Sequence, residues 1–148
     1  LAILPFFIIF VYYRNFEAVI IVHAFFLFFI ILIRELVKDL ENLKGDFTLD
    51  YTTIPVKYSV NFTKRLISVL VISTIIPALI LILYFDSGYM DYYFLLCVIL
   101  LVIFLFQLWR SQQKIHYLVL HNLLKFVIVL GVFSIVLIDV EAVIRRLF

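Results

Sequence analysis

Acidic and amide side chains recur at helical spacing in one short stretch of the sequence, RELVKDLENLKGD at residues 34–46. At about 100° per residue, Asp39, Asn42 and Asp46 would lie on one face of a helix, and Glu35 would join them. Like charges on one face repel each other, so we expect a positive group beside them. Mg²⁺ favours such oxygen ligands together with water and the phosphate oxygens of a substrate. The stretch is therefore a candidate Mg²⁺ site with Asp39, Asn42 and Asp46 as metal ligands.

Basic residues flank these acids and extend the possible chemistry. Arg34, Lys38 and Lys44 could neutralise phosphate oxygens directly. The aromatic-rich run at residues 18–33 would suit a hydrocarbon tail, and its rings could stabilise an allylic cation by about 0.5–2 kcal/mol each. Together these features predict a membrane site for a prenyl diphosphate, in which the metal helps the diphosphate to leave. In the alternative interpretation the same charges are only a solvated helix end, with Gly45 as its C-cap.

The composition excludes a water-soluble domain. Of the 148 residues, 67% are apolar and 15% are charged, and the mean hydropathy is +1.24. A soluble domain of this length could not bury so much apolar surface. The formal net charge of +2 and the lack of a basic stripe argue against a nucleic-acid partner. The single cysteine, Cys97, excludes both a disulfide framework and a cysteine-based metal site.

Apolar segments along the chain predict an all-α fold, a polytopic transmembrane helix bundle that forms a single membrane domain over residues 1–148. The five predicted spans lie near residues 1–13, 18–37, 66–85, 92–109 and 123–138. The chain begins with Leu, and its first apolar run lacks the charged start and the cleavage site of a signal peptide. We therefore expect this chain to be the C-terminal part of a longer protein.

The charges of the connections predict the orientation in the membrane. Bases collect in the connections 38–65 and 110–125, whereas the connection 86–91 carries acids and no base. Positive residues mark the cytoplasmic side, so we expect an integral membrane protein whose motif loop, 38–65, faces the cytoplasm. The loop cations Lys57, Lys64 and Arg65 could also hold a diphosphate or anionic lipid headgroups, or they could only set the topology.

Two histidines have more than one interpretation. His23 lies in the middle of a predicted span, where it could relay protons, although a hydrogen bond between helices is the interpretation that we favour. His121 and Lys125 are four residues apart in the connection 110–125 and could touch phosphate. A solvated amphipathic face is the favoured interpretation of that second pair.

The order of residues in 34–56 resembles the second aspartate-rich motif of the UbiA-type intramembrane prenyltransferases. That motif reads D-x-x-D-x-x-x-D and is followed by T-L-P-[IV]. The matching positions here are Asp39, Asn42 in place of the second acid, Asp46, Thr53 and Pro55. An amide at position 42 departs from the family pattern and is a weaker ligand than a carboxylate. The pattern R-E-x-x-K-D at residues 34–39 is most similar to sequences of the digeranylgeranylglyceryl phosphate synthase-like branch.

The resemblance implies a nine-helix fold, of which this chain would be the C-terminal part, helices five to nine. It implies Mg²⁺-dependent transfer of a prenyl group, such as geranylgeranyl, from its diphosphate to a lipophilic acceptor. Geranylgeranylglyceryl phosphate, a quinone precursor or a tetrapyrrole could be that acceptor. The family's other aspartate-rich motif is absent, so the chain alone should be inactive. We expect the enzyme in the inner membrane of a bacterium, among membrane lipids.

The resemblance and the chemistry of the flanking cations together assign roles to the candidate site residues. The catalytic residues would be Asp39, Asp46 and Lys38. The diphosphate would be bound by Arg34, Lys38, Asn42 and Lys44.

Two other classes of protein compete with this prediction. In a transporter, Glu35, Asp39 and His23 would form an ion or proton path, and acids should lie deep in several spans. In a non-catalytic membrane subunit, the charged loops would bind partner proteins, and no divalent cation would be needed.

Overall fold

The computed structural model describes residues 18–84 and 90–134, and these residues form helices and their connections. The helices are α1 (Ala18–Thr48), α2 (Ile54–Lys57), α3 (Val60–Tyr84), α4 (Met90–Arg110) and α5 (Lys114–Ser134). No strand occurs in the two described ranges, so the predicted all-α fold is confirmed. The predicted span 1–13 and the tail from residue 135 onwards lie outside the described residues.

Buried side chains recur along each long helix at alternating steps of three and four residues. This average period of 3.5 residues keeps one stripe of each helix facing its neighbours, as in coiled coils and four-helix bundles. The positions on these stripes are Phe26, Ile30, Ile33, Val37 and Leu40 in α1; Ile67, Val71, Thr74, Ala78 and Leu81 in α3; Phe94, Cys97, Leu101, Phe104 and Leu108 in α4; and Tyr117, Leu120, Leu124, Val127 and Gly131 in α5.

The four long helices form a closed bundle. α1 packs along α3 and α5, and α4 packs along the same two helices. Because the chain runs up and down, the end of α1, the start of α3, the end of α4 and the start of α5 meet at one end, which we call the polar end. Two hydrogen bonds of 2.6 and 2.8 Å cross it, from Lys64 to Ser111 and between His121 and Glu41. Both predicted basic connections therefore lie at the same end of the bundle, and the compartment that this end faces stays a prediction.

The outer faces of the helices are apolar, as a membrane requires. Ile72, Ile76, Leu95 and Phe126 are each more than half exposed, with relative accessibilities of 59%, 58%, 53% and 57%. Three helical segments are long and apolar enough to cross a membrane: Val60–Tyr84, Asp91–Arg110 and Lys114–Gly131. In the part of α1 whose side chains are described, the apolar run is too short to cross a membrane, because it ends at Arg34. The chain is an integral membrane protein with a helical bundle.

Residues 38–65 were predicted to form a loop, and this prediction is wrong because most of them are helical. α1 continues to Thr48, and α3 begins at Val60. The physical reason is that the buried stripe of α1 does not stop where the charges begin, since Leu40 is only 3% exposed. Gly45 therefore lies inside α1 and is not its C-cap. The chain leaves the helix through Asp50, whose φ of 54° is a left-handed conformation that Asp tolerates.

The connection predicted at 110–125 is much shorter in the structure. Only residues 111–113 lie outside a helix, and α5 starts at Lys114 rather than near residue 123. The first turns of α5 are mixed in polarity, so hydropathy alone places the start too late. Tyr117 and Leu120 are nevertheless buried and extend the packed stripe of α5 to its first turns.

A polar node at the far end of the bundle joins three helices. His23 of α1 donates a hydrogen bond from Nε2 to the carbonyl oxygen of Gly131 in α5, at 3.2 Å. The Tyr93 hydroxyl of α4 donates to the carbonyl oxygen of Val127, at 3.1 Å. His23 is 1% exposed. The predicted hydrogen bond between helices is therefore confirmed for His23.

Gly131 allows this close approach, so adding a methyl group there should destabilise the bundle. A Cβ atom at position 131 would lie 2.5 Å from the Tyr93 hydroxyl oxygen and 2.7 Å from Leu27 Cδ2. We expect Gly131→Ala to lower the free energy of unfolding by about 1–3 kcal/mol through overpacking. Gly45→Ala is the matched control, because a Cβ there meets nothing within 4 Å.

The control variant Gly45→Ala should raise the free energy of unfolding by about 0.5–1 kcal/mol, since Ala favours the helix more than Gly. Denaturant unfolding of the protein in detergent measures both changes. Equal stability of Gly131→Ala and the wild type would contradict the close packing at this node.

Candidate functional site

The predicted metal ligands lie on one face of α1, at the polar end. Asp39 and Asp46 are both partly exposed, and so is Asn42 between them. Burial raises the pKa of the Asp39 carboxyl, the charges of Asp46 and Glu35 raise it further, and Lys38 lowers it. The helix therefore brings the carboxylates close enough to repel, as the spacing predicts. Such a face attracts a cation.

An apolar stripe continues this face towards the other end of α1. Steps of three and four residues lead from Ile21 through Phe25, Phe28 and Leu32 to Glu35. These four apolar side chains are 37%, 58%, 40% and 37% exposed, so the described part of the bundle does not cover them. One side of α1 therefore carries a hydrocarbon surface that ends in acidic groups.

Arg34 and Lys38 both contact Glu35 rather than the two aspartates. Arg34 Nη1 lies 2.8 Å from Glu35 Oε1, and Lys38 Nζ lies 3.7 Å from Glu35 Oε2. Arg34 Nε is buried and has no hydrogen-bond partner among the described residues. We call the face of α1 that carries Asp39, Asn42 and Asp46 the acidic face. Arg34 and Lys38 thus lie beside the acidic face, with Glu35 between their charges.

Lys44 lies on a different side of α1 from Asp39 and Asp46. It lines a cavity at the polar end, together with Asn42, whereas neither aspartate contributes to that cavity. The rotation of about 100° per residue separates Lys44 from Asp39 by roughly 140°. The structure therefore brings Lys44 to the same cavity as Asn42 but not together with Arg34 and Lys38.

The sequence interpretation did not include Glu41, which forms a pair with His121. His121 Nδ1 lies 2.8 Å from Glu41 Oε2, and the two side chains are only 10% and 14% exposed. Because His121 is buried and pairs with Glu41, the predicted solvated face is wrong for this residue. No local pattern could reveal this pair, because the partners are far apart in sequence and meet only when α1 packs along α5.

Thr53 and Pro55 begin the short helix α2. Thr53 has an extended backbone, with ψ of 162°, and Pro55 lies in the first turn, where it needs no donor. Ile54, between them, is already helical. The Thr53 hydroxyl oxygen is buried and has no partner among the described residues. This element anchors the connection between α1 and α3.

The carboxylates available for a metal at the acidic face are few. In residues 18–84 and 90–134, no group of three or more His, Cys, Asp or Glu side chains is arranged to hold a metal ion. Asp39 and Asp46 would supply two donors, and Asn42 an amide oxygen. The remaining ligands would have to be water and substrate, which is how Mg²⁺ is commonly held.

A comparison with known proteins agrees with the motif. The chain is 30% identical over 92 residues to a digeranylgeranylglyceryl phosphate synthase from Methanosphaera stadtmanae. The similarity covers 62% of this chain and 33% of that protein, so the chain spans about a third of the relative's length. No family model and no solved structure matches the chain. The resemblance to prenyltransferases that residues 34–56 suggest is thereby confirmed.

The pKa of Asp39, which burial and the charges of Asp46 and Glu35 raise, predicts a pH-dependent effect on stability. A carboxyl whose pKa is raised on folding destabilises the folded state once it ionises, so this cost appears as the pH rises above about 4. Asp39→Asn should raise the free energy of unfolding at pH 7, by less than about 1 kcal/mol for a partly exposed group. Below pH 3 (about the lower limit of Asp titration) the variant should match the wild type.

Unfolding midpoints in detergent with a chelator, at low and neutral pH, test this effect. Asp50→Asn is the matched control, because Asp50 is exposed and lies outside α1, and Asn tolerates its left-handed backbone. A lower midpoint for Asp39→Asn at pH 7 would contradict this prediction.

The Glu41–His121 pair should couple the stability of α1 to that of α5. In a double-mutant cycle with Glu41→Ala and His121→Ala, we expect a coupling free energy of about 1–3 kcal/mol, because both side chains are largely buried. The exposed pair Lys38–Glu35 is the control, and its coupling should be less than about 1 kcal/mol. Equal couplings for the two pairs would show that the polar end does not hold α1 against α5.

Proposed function

We propose that this chain is part of a membrane prenyltransferase, which transfers a prenyl group from its diphosphate to a lipophilic acceptor. The observation that carries the proposal is the face of α1 on which an apolar stripe ends in Asp39 and Asp46. A prenyl diphosphate has the same two parts, a hydrocarbon tail and an anionic head. The similarity to a digeranylgeranylglyceryl phosphate synthase supports this reaction class. It also makes geranylgeranylglyceryl phosphate the acceptor to test first.

The donor set on α1 fits Mg²⁺. Two carboxylates and an amide on one face are hard oxygen donors. Burial and then the charges of Asp46 and Glu35 raise the pKa of Asp39, and a bound cation would offset both effects. In this proposal Asp39 and Asp46 hold the ion, and Asn42 adds a weaker ligand or a hydrogen bond. When bound, the ion neutralises charge on the departing diphosphate.

Lys38 and Arg34, the cations beside the acidic face, bind the diphosphate oxygens. The bond between the prenyl carbon and the diphosphate oxygen breaks, and its electron pair leaves with the diphosphate. An oxygen of the acceptor then bonds to that carbon and releases its proton to water. Lys38 and Arg34 stabilise the charge on the diphosphate, and Glu35, which contacts both of them, keeps the two side chains at the polar end.

The apolar stripe of α1 provides a surface for the prenyl chain. Phe25 and Phe28 present aromatic rings below the acidic groups, and both are exposed. An aromatic ring face stabilises a nearby cation by about 0.5–2 kcal/mol, so these rings suit an allylic carbocation. They also exclude water from the hydrocarbon side of the site.

The distribution of acids favours a transferase over a transporter. In the described residues the acids lie in 35–50, which is the polar part of α1 and the connection after it, and at Asp91 in the first turn of α4. At 1.5 Å per residue, His23 lies about 24 Å from Asp39 along α1. A proton path through Glu35, Asp39 and His23 would need polar groups over that distance, where the sequence of α1 is apolar.

The test is an assay of membranes that contain the full-length protein. Labelled geranylgeranyl diphosphate is the donor, and geranylgeranylglyceryl phosphate and an aromatic acid are offered as separate acceptors, with and without Mg²⁺. We expect a product that depends on Mg²⁺. A folded and inserted protein that gives no product with any acceptor would direct attention to a transporter or a non-catalytic subunit.

Substitution of Asp39 tests the site. We expect Asp39→Ala to lower the rate by at least about 100-fold, because charge on the leaving group would lose its main stabilisation. Asp50→Asn, an acid outside the acidic face, should keep the wild-type rate. Equal rates for Asp39→Ala and the wild type, with both proteins inserted, would refute the assignment of the site.

A further inference from the structure

A second polar feature of the molecule is a cavity of about 670 Å³ at the polar end. Its wall consists of residues 40–45 in α1, the first turns of α3, and the connection between α4 and α5. Asp39 and Asp46 do not line it, and Asn42 is the residue that it shares with the acidic face on α1. We refer to it as the basic cavity.

Three lysines give the basic cavity its charge. Lys44, Lys64 and Lys114 line it, and they come from three different helices. Among the described residues Glu41 is the one acid in the wall, and it is paired with His121 at 2.8 Å. The described wall therefore carries an excess of positive charge, which attracts an anion.

Lys64 is the innermost of these cations. It is only 6% exposed, and its Nζ donates a hydrogen bond to the carbonyl oxygen of Ser111 at 2.6 Å. The same nitrogen lies 5.7 Å from the centre of the Tyr117 ring. No carboxylate among the described residues pairs with it. A buried ammonium group normally has an anionic partner, and its two remaining donors are suited to oxygen acceptors.

Neutral donors surround the lysines. The side chains of Asn61, Gln112 and Gln113 also line the cavity, and α5 begins there at Lys114. The first backbone N–H groups of a helix have no partner within the helix and favour negative charge. Cations from three directions, amide donors and a helix start together match a group with several charged oxygens.

We propose that the basic cavity binds a phosphate group through Lys44, Lys64 and Lys114. The phosphate could belong to a lipid headgroup or to a free phosphate compound, and both present the same anionic oxygens. Trp109 in the wall lies at the end of a membrane-spanning helix, the level at which headgroups lie. The site shares Asn42 but neither aspartate with the proposed transferase site, and the three lysines that would bind the phosphate have no role in the proposed transfer.

Trp109 makes the proposal measurable. It is the one tryptophan in the sequence, and it lines the cavity, where its Nε1 donates to the Ser68 hydroxyl oxygen at 3.2 Å. Its emission should change when the cavity is filled. The protein in a neutral detergent is titrated with inorganic phosphate in one arm and with phosphatidylglycerol in the other. Chloride at equal ionic strength and diacylglycerol, which has no phosphate, are the blanks.

We expect a saturable change in Trp109 emission in at least one arm. Saturation with phosphatidylglycerol alone would assign the site to a lipid headgroup, and saturation with inorganic phosphate would show that the phosphate group suffices. The double variant Lys44→Gln/Lys114→Gln should bind at least 10-fold more weakly, and both lysines are exposed enough for it to fold. Lys57→Gln, an exposed lysine outside the cavity, should bind like the wild type.

Three results would overturn the proposal. The first is a signal that does not saturate, or that the blanks reproduce. The second is wild-type affinity in the Lys44→Gln/Lys114→Gln variant. The third is an equal loss of affinity in Lys57→Gln, because the binding would then reflect overall charge. Each result is independent of prenyl transfer, so the two proposals fail separately.

Discussion

The packing of α1, α3, α4 and α5 through stripes with a period of 3.5 residues underlies every other feature of this molecule. In a membrane, helices gain little from leaving lipid, so they associate through close side-chain packing and a few hydrogen bonds. The stripes provide the packing. His23 and Tyr93 provide hydrogen bonds at one end, and Lys64 and Glu41 provide them at the other. Once the stripe of a helix is buried, the direction in which each of its other faces points is fixed.

Different sides of α1 serve three purposes, and Leu40 and Asn42 each contribute to two of them. One side packs in the bundle, with Val37 and Leu40 continuing the stripe beneath the charged segment. A second side carries Asp39 and Asp46 above exposed apolar residues. A third side, with Lys44, faces the basic cavity. A single charged segment therefore contributes to two different polar surfaces at the same end of the molecule.

Much of this arrangement follows from the sequence. The helical class, the membrane setting and the common face of Asp39 and Asp46 depend on hydropathy and on a fixed rotation per residue, so they can be predicted locally. The helix boundaries near residues 38 and 123 could not be predicted locally. Hydropathy falls at charged residues even where buried Leu40 and Tyr117 continue the packing. Helix ends are decided by which side chains find neighbours, and that information is not local.

The sequence by itself determined an all-α membrane protein with acids, an amide and bases at helical spacing, and a motif that resembles that of prenyltransferases. Only the tertiary structure decided which of those groups meet. It paired Glu41 with His121, buried Lys64 against Ser111, and brought Lys44 into one cavity with Lys64 and Lys114. The physical reason is that spacing fixes the direction of a side chain from its own helix. Its partners depend on how neighbouring helices are packed, and those helices are far away in the chain.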